Sequence, residues 1–261
     1  MKTTGKMLAI SLALSAAAPS FACLEVGKDG FVPVNKMYIP ADAKTKGGIN
    51  EEQFNATIDK VEHIYAPIVE QLGGKLDIVR NWTDGTVNAY ASRSGKTWTV
   101  QMFGGLARHE TITEDGMALV VCHEIGHHIG GAPKKGGGGG WWGGGSASWA
   151  SNEGQSDYFA TMKCLRRAFL NDDNSTILSR MEIPAALADG CQKTWTNKAD
   201  SDICIRGGMA GLSVANLFKA LSSGTVAPDF SKPDSKVVSR MDDNHPATQC
   251  RLDTYFQGAI C

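Results

Sequence analysis

The stretch from His123 to His127, which reads HExxH, constrains this chain more than any other. In a helix, residues four apart project from the same face, so His123 and His127 can direct their imidazoles at one point. Paired imidazoles are typical ligands of zinc, and catalytic zinc sites keep one coordination position open for water. Glu124 lies beside that position, where a carboxylate can accept a proton from water. The stretch therefore predicts a zinc-binding helix that carries its own general base.

The residues around this stretch favour a buried helix. The apolar run from Met117 to Ile129 contains it, and its apolar residues recur at helical spacing. The sequence from Thr111 to Glu114 is a capping-box signature, and Gly130 with Gly131 provides a C-terminal stop.

A third metal ligand is needed, and the next predicted helix, Asn152 to Leu170, offers one. A metzincin would have a third histidine where Pro133 stands, so that class is excluded. Glu153 and Asp157 lie four apart on one face of the predicted helix. Glu153 can be the third ligand, and Asp157 can accept a hydrogen bond from a ligand imidazole. The alternative is that both are solvated acids, which the helix dipole favours at this end.

Residues 1–22 have the features of a signal peptide. Two lysines precede an apolar run from Met7 to Ala18, and Ser20 and Ala22 are small residues at the cleavage positions. Cleavage would leave Cys23 first, which raises the alternative of a lipid anchor there. Phe21 is bulky for the recognition sequence of a lipid-anchored protein, which favours plain export. We therefore expect a periplasmic or secreted protein.

Seven cysteines in an exported chain predict disulfide bonds. Cys191 and Cys204 bracket a polar segment and are the pair that we predict. A bridge closing a loop of that size stabilises by about 3 kcal/mol in the chain-entropy model. The sequence does not assign the others.

Composition and element order predict one α/β (α+β) domain. A net charge of −1 gives no electrostatic case for nucleic acid, and no apolar run is long enough to span a membrane. A leading arm (23–49) precedes a single domain (50–261). Within that domain we predict helices at Asn50–Gln71, Asn152–Leu170 and Ile203–Leu221, strands at Lys75–Trp82, Val87–Ser92 and Thr97–Phe103, and an irregular stretch at 171–201.

An insertion at 133–148 is dominated by glycine and includes the pair Trp141-Trp142. Glycine loses the most entropy on ordering, so regular structure is not expected here. Two interpretations remain open, a linker or a mobile flap over the site, because the insertion lies between the two candidate ligand helices.

The order of motifs along the chain resembles a known family. A strand with Asn88, Ala89, Tyr90 and Ala91 is followed by Gly105-Leu106, the HExxH helix, the Glu153–Asp157 pair, and finally His245-Pro246 with Arg251. This order resembles the gluzincin zinc metallopeptidases of the HtpX heat-shock protease and CAAX prenyl endopeptidase type. Asn152 to Asp157 is also locally similar to the NExxSD of thermolysin-type enzymes. The resemblance implies a zincin-like gluzincin domain, in which a small, mostly antiparallel sheet packs on the HExxH helix before a helical second half.

The resemblance also implies roles for these residues. His123, His127 and Glu153 would hold one zinc ion per chain, and Glu124 would be the general base of an endopeptidase. A peptide or protein substrate would add itself as a strand along Asn88, Ala89, Tyr90 and Ala91.

The same resemblance places His245 beside the metal. Arg251, six residues later, could anchor the following helix or pair with an acid such as Asp157. His245 would act as a removable fourth ligand or as a donor to the oxyanion. The alternative is a surface histidine in a turn.

Two rival functions come from different classes. One is a non-catalytic secreted protein that keeps zinc for stability, but a structural site has no use for Glu124. The other is a cell-wall hydrolase, which ranks third because the chain lacks an HxxxD followed by HxH. The sequence does not indicate the substrate or the oligomeric state.

Overall fold

The computed structural model describes residues 20–21, 30–136, 148–222, 226–236 and 243–261. Most of the predicted signal peptide, Cys23 and residues 137–147 of the glycine-rich insertion lie outside these ranges. No helix in the described part of the chain is both long and apolar enough to cross a membrane.

The first helix, α1, spans Glu51–Gln71 and begins at Asn50, as predicted. The Asn50 side chain accepts from the Gln53 N–H while the Gln53 side chain accepts from the Asn50 N–H, which satisfies two backbone donors at the helix start. Its apolar stripe, from Phe54 to Val69, packs into the core.

A mixed sheet packs against α1. Its strands are β1 (Ser20–Phe21), β2 (Lys75–Asn81), β3 (Ala89–Ser94) and β4 (Thr97–Phe103), in the order β1-β3-β4-β2. The pairings β1–β3 and β3–β4 are antiparallel, whereas β2 and β4 run parallel. The three longer strands match the predicted ones to within two residues at either end. The parallel pairing was not predicted, because strand patterns do not specify which strands become neighbours.

The HExxH helix is the centre of the fold. After a short helix, α2 (Gly104–Ala107), it forms α3 (Glu114–Ile129), which packs against α1, β3, β4 and the later helices. Its N-cap is Thr113, whose hydroxyl accepts from the Gly116 N–H, and not Thr111 as the capping signature suggested. The Thr111 carbonyl accepts from Ser213 instead. Burial on nearly every side explains the long apolar run.

The second half is helical, as predicted. The helical segment predicted at 152–170 is present, but a π-helix (Ala160–Leu165) separates α4 (Glu153–Phe159) from α5 (Arg166–Phe169). The later helices are α6 (Asn174–Leu178), α7 (Ala185–Thr194), α8 (Lys198–Leu221) and α9 (Thr248–Ile260). The prediction that 171–201 is irregular is therefore wrong, because this stretch contains α6, α7 and the start of α8. The helices α6 and α7 bury few residues, so their periodicity is weak.

Two disulfide bonds connect the helices. Cys191–Cys204 is present as predicted, although the two residues lie on α7 and α8 and do not simply bracket a loop. Cys122–Cys164, which the sequence did not assign, joins α3 to the π-helix.

The leading arm contributes to the core. Phe31 and Val32 are fully buried, and the Phe31 N–H donates to the Ala89 carbonyl of β3. The packed structure thus begins upstream of residue 50, because these two apolar side chains fill space between the sheet and the helices.

We expect the two disulfides to contribute unequally to stability. Replacing Cys122 and Cys164 with alanine opens a loop with a sequence separation of 42, which the chain-entropy relation converts to about 4 kcal/mol. The matched double variant of Cys191 and Cys204, with a separation of 13, should lose about 3 kcal/mol. Urea unfolding of the oxidised proteins measures both losses. A larger loss from the shorter loop would contradict this order.

Candidate metal centre

Three side chains from two helices meet in a buried cluster. His123, His127 and Glu153 each offer a ligand atom, and these atoms lie within 4.8 Å of one another. Nε2 of His123 is 3.2 Å from Oε2 of Glu153, and Nε2 of His127 is 3.6 Å from Oε1. Glu153 is 1% exposed and Asp157 is fully buried, so neither is the solvated acid of the alternative interpretation. The cluster could hold a metal ion.

Close packing of α3 and α4 brings the ligands together. The two histidines lie one turn apart on α3, and Glu153 is the first residue of α4, whose cap Asn152 accepts from the Gln155 N–H. A Cβ atom at Gly126 would lie 3.1 Å from the Ser156 backbone, tighter than most real contacts. Glycine at this HExxH position therefore allows the second ligand helix to approach.

The two imidazoles are oriented by hydrogen bonds at Nδ1. Nδ1 of His123 donates to Oδ1 of Asp157 at 2.7 Å, and Nδ1 of His127 donates to the Ser151 carbonyl at 2.8 Å. Both rings therefore direct Nε2 at Glu153. Nε2 of His123 forms no hydrogen bond within the described residues, as expected for an atom that awaits a ligand.

Asp157 is itself held from the last helix. Arg251 donates to both of its oxygens, from Nε at 2.9 Å and from Nη2 at 2.6 Å, and the Tyr255 hydroxyl donates at 2.9 Å. Burial would raise the pKa of Asp157, but the Arg251 and His123 charges lower it below its usual range. The contact between Arg251 and Asp157 is one of the two alternatives expected for Arg251, whereas the contact with Tyr255 was not predicted.

The buried charges shift the pKa values of the histidines in opposite directions. Burial alone would lower the pKa of His123, but the Asp157 and Glu153 carboxylates raise it to about 9. For His127 burial dominates and lowers the pKa well below its usual value. His127 is thus neutral, and in His123 a proton competes with a metal ion.

The Glu124 side chain is buried, and no hydrogen bond from the described residues compensates the loss of its hydration. Neither carboxylate oxygen has a hydrogen-bond partner among the described residues, and the side chain is fully buried. Burial, together with the nearby Glu153 charge, raises the pKa of Glu124 to about 7. An uncompensated carboxyl group is costly to bury. Near pH 7 it can accept and return a proton, as a general base requires.

His245 reaches the cluster from the segment before α9. Its Nε2 donates to the Gly30 carbonyl at 2.8 Å and lies 3.6 Å from Oε2 of Glu153. Burial lowers its pKa, so the ring is neutral. Its side chain is 9% exposed, which excludes the surface-turn interpretation. In this arrangement Nε2 carries a hydrogen and is a donor, not a ligand.

One site residue was missed. The Lys135 ammonium lies 2.7 Å from Oε1 of Glu153 and is buried. No feature of the sequence distinguishes it, because a lysine at the start of a glycine-rich segment resembles an ordinary solvated one.

The strand predicted to bind substrate is covered by the chain itself. Asn88 lies just before β3, and its Oδ1 accepts from the backbone of Val32 and Ala89. The Ala89 carbonyl accepts from Phe31, and β1 pairs with β3 farther along, opposite 92–93. Ala89, Tyr90 and Ala91 lie within β3.

We expect metal affinity to rise with pH. Because the pKa of His123 is about 9, metal binding below that pH displaces a proton, and affinity should increase by about tenfold per pH unit. Asp157→Asn removes the largest charge that raises this pKa. The rise should then end at a lower pH, with a plateau about 10–100-fold weaker. Chelator competition between pH 6 and 9 measures both curves. A wild-type affinity that is constant from pH 7 to 9 would contradict the assignment.

Comparison with known proteins gives no family. No protein-family model matches the chain, and no curated protein or solved structure has significant similarity to it. The case for a function therefore depends on the site itself.

Proposed function

We propose that this protein is an exported zinc-dependent endopeptidase with a zincin-like, gluzincin-type fold. The observation that carries the proposal is Glu124, a fully buried carboxyl group without a hydrogen-bond partner beside the cluster of His123, His127 and Glu153. A metal site that served stability alone would gain nothing from this group.

The donor set fits zinc. Two neutral imidazoles and one carboxylate suit this ion, whereas magnesium and calcium prefer sites built from oxygen atoms. One zinc ion per chain would be held by His123, His127 and Glu153. When bound, zinc supplies Lewis acidity that polarises a carbonyl group and acidifies water.

Glu124 performs the proton transfers in this proposal. With a pKa near 7, its carboxylate accepts a proton from the attacking water and then returns it to the leaving amine. Asp157, held by Arg251 and Tyr255, keeps His123 in the tautomer that leaves Nε2 available. His245 lies at the edge of the cluster, and its Nε2–H would have to turn from the Gly30 carbonyl to the site in order to stabilise a developing oxyanion.

The substrate in this proposal is a peptide that adds to the outer edge of β3. Signal-peptide cleavage after Ala22 would remove β1, which pairs with Ser92 and Arg93. The edge around 91–93 would then become available for an extended chain, while the Phe31–Ala89 hydrogen bond would remain. The two disulfides and the absence of a membrane-spanning helix in the described part are compatible with an exported protein.

A second candidate is the non-catalytic protein. The position of the cluster favours it, because an ion held by His123, His127 and Glu153 would join two helices and so stabilise the fold. The two functions differ in what Glu124 does.

Glu124→Gln should abolish hydrolysis and retain the metal. The amide preserves the shape of the side chain but cannot accept a proton, so peptide cleavage should fall by at least about 10²-fold. Zinc content, measured by elemental analysis of the purified protein, should remain one per chain. Glu110→Gln, at an exposed position, is the matched control. Mass spectrometry of a digested peptide library measures cleavage. Undiminished cleavage by Glu124→Gln would contradict the mechanism, and no cleavage by wild type would favour the non-catalytic protein.

His245→Ala should reduce the cleavage rate while zinc is retained. Removing one oxyanion donor typically costs about 10²–10³-fold in kcat. Single-turnover cleavage with zinc analysis measures the effect. A gain in activity would show instead that His245 blocks the site as a removable ligand. Wild-type kinetics would contradict both roles.

A further inference from the structure

We propose that Lys135 is a positioning residue. In the metal-free protein its ammonium supplies the positive charge beside Glu153 that a bound metal ion would supply. Its ammonium holds Glu153 in place before a metal arrives, and it then opposes the metal by charge repulsion. The inference rests on the proposed metal site, but not on peptide hydrolysis.

The contact is buried on both sides. The Lys135 side chain is 4% exposed and the Glu153 side chain is 1% exposed, with 2.7 Å between Nζ and Oε1. Lysine is almost never buried unless it is paired, because an ammonium group loses its hydration there. This lysine is therefore placed in the site by the fold.

The backbone explains how Lys135 is placed there. Its N–H donates to the Ala150 carbonyl at 2.8 Å, and the Asn152 N–H donates to the Pro133 carbonyl at 3.0 Å. A bridge between Lys134 and Ser151 lies between these bonds. This short ladder, residues 133–135 with 150–152, leads directly into Glu153.

The same ladder reaches a second ligand. The Ser151 carbonyl accepts from Nδ1 of His127, and the Ser151 N–H donates to the His127 carbonyl. Lys135, His127 and Glu153 are thus positioned by one hydrogen-bonded framework. Reorientation of any one of them changes the geometry of the other two.

Lys135 contacts the same Glu153 oxygen that a metal ion would bind. Oε1 of Glu153 lies 2.7 Å from Nζ of Lys135 and 3.6 Å from Nε2 of His127. A cation bound between His127 and this oxygen would lie near the ammonium, and burial leaves their repulsion poorly screened. Metal binding must therefore displace Lys135 or overcome its charge, so Lys135 lowers metal affinity.

A simple supporting contact predicts the opposite effect. If Lys135 only oriented Glu153 as a partner of the ligand, its removal would weaken metal binding by about 10–100-fold. The direction of the change in affinity therefore distinguishes competition from support.

The test compares three full-length variants. Lys135→Met removes the charge while keeping much of the chain length, and Lys135→Arg keeps the charge. Lys96→Met removes the charge of an exposed lysine in the turn between β3 and β4. Zinc dissociation constants come from chelator competition. Thermal unfolding of each protein is followed with and without zinc.

Lys135→Met should bind zinc at least about tenfold more tightly than wild type, and its metal-free form should unfold at a lower temperature because Glu153 loses its buried partner. Lys135→Arg and Lys96→Met should bind zinc as wild type does. Lys135→Gln, purified with zinc and then stripped, replaces Lys135→Met if that variant does not fold without metal. Weaker or unchanged zinc binding by the neutral variant would overturn this inference and leave the proposed metal site intact. Absence of zinc binding by wild type would overturn the proposed metal site as well.

Discussion

The buried ion pair between Arg251 and Asp157 is the interaction on which the other parts of the site depend. Arg251 is fully buried, and its guanidinium donates to both Asp157 oxygens and to the Phe31 carbonyl. It also lies over the ring of Phe218, 4.1 Å from the ring centre. A buried charge is tolerated only when it is paired and its donors are bonded. The leading arm, α4, α8 and α9 must therefore assemble around one side chain.

This ion pair also reaches the proposed chemistry. Asp157 accepts from Nδ1 of His123, so the position of Arg251 determines how one ligand imidazole is oriented. The ring of Phe31 contacts the same imidazole edge-on, with 4.9 Å between ring centres. Residues from both ends of the described chain thus fix a histidine in its middle. These contacts connect the leading arm and α9 to the candidate metal site.

The features that the sequence predicted depend on interactions between residues close in the chain, and those that it missed depend on contacts between distant segments. The HExxH helix, Glu153 and Asp157 were predictable because their spacing of four residues acts within one helix. Cys122–Cys164, the Lys135–Glu153 pair and the burial of Phe31 were not, because each depends on which distant segments become neighbours. His245 was placed near the site only by a resemblance of motif order. The structure places His245 there, but no family model matches the chain. The helices α6 and α7 were missed because short helices with few buried residues have little periodicity.

The charges around the cluster distinguish Glu124, the proposed general base, from the other two carboxyl groups. Asp157 is paired with Arg251 and Glu153 with Lys135, so both carboxylates are compensated by a cation without any metal. Glu124 has no such cation in direct contact among the described residues, and burial accordingly raises its pKa to about 7. Of the three carboxyl groups at the cluster, Glu124 is therefore the one whose pKa lies near neutral pH. Because the neighbouring charges are fixed, a proton gained or lost there changes the cluster locally, and such exchange is what a general base must perform in each catalytic cycle.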